Sequence, residues 1–363
     1  MRRIGGVLQR RLRGRHVPVI DAGVAARILR GAWRVSPPAC EATVDELKMA
    51  EPLLLRSGAG ALAWRAIRER KDLAASKAGR RLHESFRLHA LQHSVLERRI
   101  AEALAALRGA GIDPILIKGW DAARLYPAPG LRPFGDVDLW LSPGERKAAG
   151  RVIAGLAPGP VIDLDHTETA GPDESGMRQA ARTVMLGSTP VRVLSAEDHL
   201  GVLAVHFMKH GGWRSLWLCD LAAAVESCPP SFDWERCLST DARRREWIQC
   251  ALSLSDLIGA DLSAVPLGRF ASPPSWIAAS MLAAWERPNP SSLATLPPRR
   301  RPIALARVAA TRWRSPLEVV YRRGLPLRDR PPRGGQAIDF GWRALKRLAL
   351  PRRMLDRVPE PRG

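Results

Sequence analysis

Disulfide chemistry has little to work with in this chain. Its 363 residues include five cysteines, Cys40, Cys219, Cys228, Cys237 and Cys250, an odd number with no Cys-x-x-Cys pair. That argues against a disulfide framework and against a zinc site, and a reducing, cytoplasmic setting is expected. No run of about 18 apolar residues occurs, so no transmembrane helix is expected. The opening "MRRIGGVLQRRLRGRHV" is positively charged but lacks an apolar stretch of signal-peptide length. No internal repeat is visible. Acid is also scarce: 36 Asp and Glu stand against 57 Lys and Arg, a formal net charge of +21. Such a surplus implies an anionic partner, whether nucleotide, nucleic acid, phosphorylated metabolite or acidic membrane surface, without selecting among them.

What is present is a globular composition. Hydrophobic residues make up 46% of the chain, enough for a sizeable core. Residues 20–110 read as helical, and Leu82, Phe86, Leu96, Ile100, Ala103, Leu104 and Leu107 recur at helical spacings before Gly109 and Gly111 stop the run. "DPILIKG" is a short buried strand, "WDAARLY" a short helix, and the Pro- and Gly-rich "PAPGLRPFG" a loop. "DVDLWL" is the next strand. "SPGERKAAGRVIAGL" follows as a helix, with Ser142 as its cap, Pro143 in its first turn and Glu145 at the third position. "PVIDLDH" is a third strand, and Ser195 with Asp198 opens a later helix that ends at Gly211 and Gly212. These elements predict an α+β chain. A helical region spans 1–94, a small α/β core 95–195, a second helical region 196–295, and a basic Pro/Arg-rich tail with a terminal helix 296–363.

The chemistry is concentrated in "LRPFGDVDLWL". Val137, Leu139 and Leu141 share one strand face, and Asp136 and Asp138 share the other. Two carboxylates side by side repel each other, yet they make a good clamp for a divalent cation. Mg²⁺ takes hard oxygen ligands, typically one or two carboxylates plus substrate phosphates. Around this pair the sequence sets further candidates. Gly119 lies at a strand-to-helix junction, where backbone can approach a phosphate, and Lys118 adds a cation beside it. Arg132 sits in the loop before the acids, where a guanidinium could grip phosphate or pair with Asp136. Asp163 and Asp165 offer a further acid on the next strand.

The run "ILIKGWDAARLYPAPGLRPFGDVDLWL" resembles the signature of a largely uncharacterised bacterial nucleotidyltransferase family within the DNA polymerase β superfamily. The matching positions are Lys118, Gly119, Leu125, Tyr126, Arg132, Pro133, Asp136, Asp138 and Leu139. "VIDLDH" and "LSAEDHLGVLAVHFMKH" followed by "WLCDLAAAV" are similar to the family's later segments, so the likeness covers about 80–240. The resemblance implies a small mixed sheet embedded between mostly helical segments. It also implies transfer of a nucleoside monophosphate from an NTP, ATP foremost, to a hydroxyl-type acceptor. Asp136 and Asp138 would bind Mg²⁺ (or Mn²⁺), and Asp163, or Asp165 on the same strand face, would be the third carboxylate. Lys118, Gly119, Trp120 and Arg132 would form the nucleotide-binding segment. The wider superfamily has Gly-Ser or Gly-Gly where this chain has Gly119-Trp120, so Lys118 is expected to take over the contact of the missing hydroxyl.

Two rival expectations accompany this one: an inactive module of the same fold that binds an anionic partner, and an RNA-directed transferase. His199, His206 and His210 lie along one helix face and read as structural or partner-facing. The Trp-rich stretches read as core. Asp220 falls within an apolar stripe and needs a partner, with Lys209 or Arg214 the nearest candidates in sequence. The basic tail is a solvated face, or a contact for nucleic acid or an anionic membrane.

Overall fold

The structure, a computed structural model, describes residues 22–142, 144–156, 161–164, 174–239, 241–267 and 273–286, together with residues 317, 320, 327 and 328. Five helices come first: α1 (Ala22–Leu29), α2 (Val44–Arg56), α3 (Gly60–Ile67), α4 (Lys71–Ala75) and α5 (Lys77–Gly109). Strand β1 (Ile115–Leu116), α6 (Trp120–Ala123), β2 (Asp136–Trp140), α7 (Arg146–Ala154), β3 (Val161–Asp163), α8 (Glu174–Ala180), β4 (Arg182–Leu186) and β5 (Thr189–Val193) follow. The chain continues as α9 (Ala196–Lys209), α10 (Ser215–Glu226), α11 (Trp234–Leu238), α12 (Ala242–Leu254) and α13 (Ser275–Glu286).

Local chemistry accounts for several helix starts. Thr43 and Glu46 form a full capping box at α2, and Ser76 and Ser195 accept from backbone N–H groups at the starts of α5 and α9. At α7 the structure departs from expectation. Glu145 Oε2 accepts from the Ser142 N–H at 2.8 Å, but a turn intervenes and the helix begins at Arg146. Pro143 lies outside the described residues.

The sheet has the order β3-β2-β1-β5-β4 and is mixed, with β1/β5 and β2/β3 parallel and β1/β2 and β4/β5 antiparallel. The expected α+β class is therefore observed. The sequence reading missed α8 and β4; β4 forms a hairpin with β5 in which Leu186 faces Thr189. One sheet face, including Val137, Leu139, Leu141, Val191 and Val193, packs against Ile100, Leu104 and Leu107 of α5 and Ala149 of α7. The opposite face buries Ile115, Ile117 and Trp140 with Met177 and Val202.

The expected division at 94/95 falls inside α5. This 33-residue helix, about 50 Å long at 1.5 Å per residue, is unbroken there. Its first half buries Leu82 in the helical core, and its second half buries Leu104 against the sheet. The two helical regions share that core: Leu47 and Leu54 of α2 lie in one cluster with Phe207 of α9, Leu218 of α10 and Ile248 of α12. Leu317, Val320 and Leu327 are buried in the same cluster. Apart from these and Arg328, the residues of 296–363, including the expected terminal helix, lie outside the described residues.

Candidate active site

Strand alternation turns Val137, Leu139 and Leu141 into the core, so Asp136 and Asp138 face the other way. β3 runs parallel beside β2 with Asp136 opposite Val161 and Asp138 opposite Asp163. Partners across a sheet sit about 4.8 Å apart and project to the same side. Three carboxylates therefore share one face. Asp136 and Asp163 are exposed, whereas Asp138 is 2% exposed. Asp165 lies outside the described residues.

Asp138 has a counter-charge. Lys118 follows β1, the antiparallel neighbour of β2, and its Nζ lies 3.1 Å from Asp138 Oδ1. Gly119 comes next, with φ +68. A Cβ there would stand 3.1 Å from the Asp136 carbonyl oxygen and 4.0 Å from Asp138 Oδ2, so glycine is what lets this backbone lie against the acids.

These residues line a cavity of about 720 Å³, a volume within the range of small-molecule sites. Besides the sheet acids, its lining includes Arg56, His89, His206, Lys209, His210, Arg214 and Trp217. His206 stands 4.5 Å from the His210 ring and 4.7 Å, edge-on, from Trp217; Trp213 meets Trp217 at 5.5 Å. Burial holds the His206 imidazole well below its usual value, and the charges of Lys118, His210, Arg132 and Arg214 push it the same way. His206 is therefore neutral at pH 7. The cavity thus joins an acidic sheet face to a basic and aromatic wall built by α2, α5, α9 and α10.

Three expectations need correction. Arg132 lines the cavity, but its guanidinium is anchored in the wall. It is 8% exposed, and it donates from Nη2 to Asp220 Oδ2 at 2.8 Å and from Nε to Asp220 Oδ1 at 3.2 Å. Its Nη1 donates to the Pro133 carbonyl at 3.2 Å. Burial opposes the Arg132 charge, and the attraction of Asp220 outweighs it, so its pKa lies above the usual value. Arg132 is thus neither a free phosphate grip nor the partner of Asp136. Asp220, for which Lys209 or Arg214 seemed at hand, pairs instead with Arg132 and accepts from the Tyr126 hydroxyl at 2.8 Å. Trp120 is the third. Its ring is buried with Ile100, Leu104 and Phe134, and its Nε1 donates to Glu97 at 2.8 Å, so it serves the core and does not line the cavity.

The loop bearing Arg132 is fixed at a second point. Gly130 has φ +82, and a Cβ on it would come within 2.6 Å of the Ala90 backbone on α5. The sequence reading did not assign His206, His210, Lys209, Arg214 and Trp217 to the site. Their i, i+4 repetition from 206 through 210 to 214 was the available signal, obscured by the glycines at 211 and 212.

Among the described residues, no three His, Cys, Asp or Glu side chains are arranged to hold a metal ion together. The donor chemistry nevertheless suits a hard cation. Mg²⁺ and Mn²⁺ favour oxygen ligands, and Mg²⁺ binds through one or two carboxylates, with water and substrate phosphate filling the other positions.

A family model described as "Uncharacterised nucleotidyltransferase" matches residues 53–157 and 159–255, more than half of the chain. The chain belongs to this nucleotidyltransferase family. Every residue lining the cavity falls within the two matched segments. No curated protein and no solved structure matches the chain. Membership in a nucleotidyltransferase family supports a general role in nucleotidyl transfer, with a nucleoside triphosphate as substrate. No helix among the described residues is long and apolar enough to cross a membrane.

Proposed function

We propose that this nucleotidyltransferase moves a nucleoside monophosphate from an NTP, ATP foremost, to a hydroxyl-type acceptor and releases pyrophosphate. The observation that carries this reading is the shared face of Asp136, Asp138 and Asp163, set by the β2/β3 register, in a cavity that these acids line together with Arg and Lys side chains. Asp136 and Asp138 would hold Mg²⁺ or Mn²⁺. When bound, the cation neutralises phosphate charge and orients the α-phosphoryl group. Asp163 is the third carboxylate and takes the proton of the acceptor hydroxyl. The acceptor oxygen bonds to the α-phosphorus, and the bond from that phosphorus to the bridging oxygen of pyrophosphate breaks. Lys118, already beside Asp138, lies where it balances charge as phosphate enters.

The test is calorimetric titration of NTPs in Mg²⁺ or Mn²⁺, with turnover followed by α-labelled NTP and candidate hydroxyl acceptors. Wild type should bind, and Asp136→Ala should lose at least tenfold in affinity. Equal binding by the variant, or no NTP binding by wild type, would sink the reading.

A further inference from the structure

Five cations line the cavity: Arg56, Lys118, Arg132, Lys209 and Arg214. Two of them face carboxylates of the fold, Lys118 against Asp138 and Arg132 against Asp220. Arg56 and Arg214 are held differently. Arg56, at the end of α2, donates Nη2 to the Trp285 carbonyl at 2.7 Å. Arg214, just before α10, donates Nε to the Ser57 carbonyl at 3.3 Å and lies over the Trp213 and Trp217 rings at 5.4 and 5.3 Å. Among the described residues, neither forms an ion pair with a carboxylate.

Both guanidiniums are half-buried. Burial works against the charge of each. At Arg214 the repulsion from Arg132 adds to it, while Asp220 and Asp136 partly offset it. A guanidinium drawn out of water without a counter-charge is costly, and an anionic ligand removes that cost. Carbonyl bonds hold the two side chains in place without neutralising them. Arg214 also feels Asp136 directly. Arg214 and Asp136 line the same cavity, so an anion held by Arg214 shares it with a cation held on Asp136. Two guanidiniums on separate segments, one at the end of α2 and one just before α10, suit more than one phosphate group, and bidentate recognition of phosphate is what arginine does best.

We propose that Arg56 and Arg214, in place of Arg132, form the polyphosphate clamp of this site, gripping the phosphates that leave as pyrophosphate. The assignment rests on the nucleotidyl-transfer reading and gives it its phosphate-binding residues. No bond changes at either arginine; both hold charge and orientation through the transfer.

The experiment titrates ATP and inorganic tripolyphosphate in Mg²⁺ into the full chain, comparing wild type with Arg56→Gln, Arg214→Gln and Arg214→Lys. Thermal melts check that each variant is folded. A hydrogen bond to a charged group implies a loss of roughly ten- to hundredfold for each Gln variant. The loss should be equal for the two ligands, because the clamp touches no base. Arg214→Lys, which keeps the charge but not the fork and preserves the packing stem should Gln fail to fold, should lie between Gln and wild type. Unchanged tripolyphosphate affinity in the variants overturns the clamp while leaving nucleotidyl transfer standing. The same holds if ATP binding alone weakens, since Arg214 would then act only through the Trp217 ring. A wild type that binds neither ligand overturns both readings.

Discussion

Removal of the Asp220 carboxylate should be among the most damaging single changes available in this protein. In Asp220→Ala, the Arg132 guanidinium keeps only its bond to the Pro133 carbonyl and loses the fork onto Asp220. The Tyr126 hydroxyl loses its acceptor in the same step. Breaking a buried ion pair from one side costs about 3–5 kcal/mol, chiefly because the surviving charge stays buried. That is a large part of a total stability of about 5–15 kcal/mol. At about 2–4 °C per kcal/mol the melting temperature should fall by roughly 10 °C. The pair itself contributes far less than its breakage costs, since two charges had to leave water to form it. Arg132→Met combined with Asp220→Leu should therefore recover most of the loss. Denaturant unfolding of the two single variants and the double variant gives the full cycle. An Asp220→Ala protein within about 1 kcal/mol of wild type would refute the reasoning, as would a double variant no more stable than the worse single one.

Other outcomes follow from the same geometry. Gly119→Ala forces a β-carbon onto a positive-φ residue 3.1 Å from the Asp136 carbonyl, at about 1–3 kcal/mol of strain; calorimetry should show weaker NTP binding with every acid intact. His199 and His206 both have folded values below 6.5, His199 through burial partly offset by Asp121, and His206 through burial reinforced by Lys118, His210, Arg132 and Arg214. Their contribution is complete above the unfolded value and is lost as pH falls, because the unfolded chain then binds the extra protons. Melting temperature should drop from about pH 6.5 downward, and His206→Gln should flatten the slope. Burial pushes the Cys228 thiol up to about 12 and those of Cys219, Cys237 and Cys250 well above their usual range. Native protein should thus resist a thiol reagent at pH 8, and rapid modification of all four would contradict the fold.

The acidic face was legible in the sequence because it depends on strand alternation alone. Asp136 and Asp138 point away from Val137 and Leu139 wherever the strand lies, and the mixed α+β pattern followed from the spacing of apolar runs. The partner of Asp220 was not legible. Arg132 is 88 positions away, and chain proximity favours the basic residues nearby. Trp120 misled for a related reason: adjacency to Gly119 in sequence places its backbone beside the acids, whereas the first residue of a short helix sends its ring toward Glu97 on α5. Helix periodicity likewise identified a common face for His206 and His210 but not what that face meets. Only the tertiary fold, which sets His206 and His210 in the lining of the same cavity as Asp136 and Asp138, brings that face to the carboxylates.

The loop from Pro127 to Gly135 looks in sequence like a flap, with two glycines and three prolines. In the fold it is a fixed wall, with Gly130 seated on Ala90 and Arg132 locked to Asp220. Nucleotide entry would then meet a site already shaped, with little chain entropy left to lose on binding. At this loop, discrimination among nucleotides would come from fit to the standing wall, not from a flap that senses the right one and shuts.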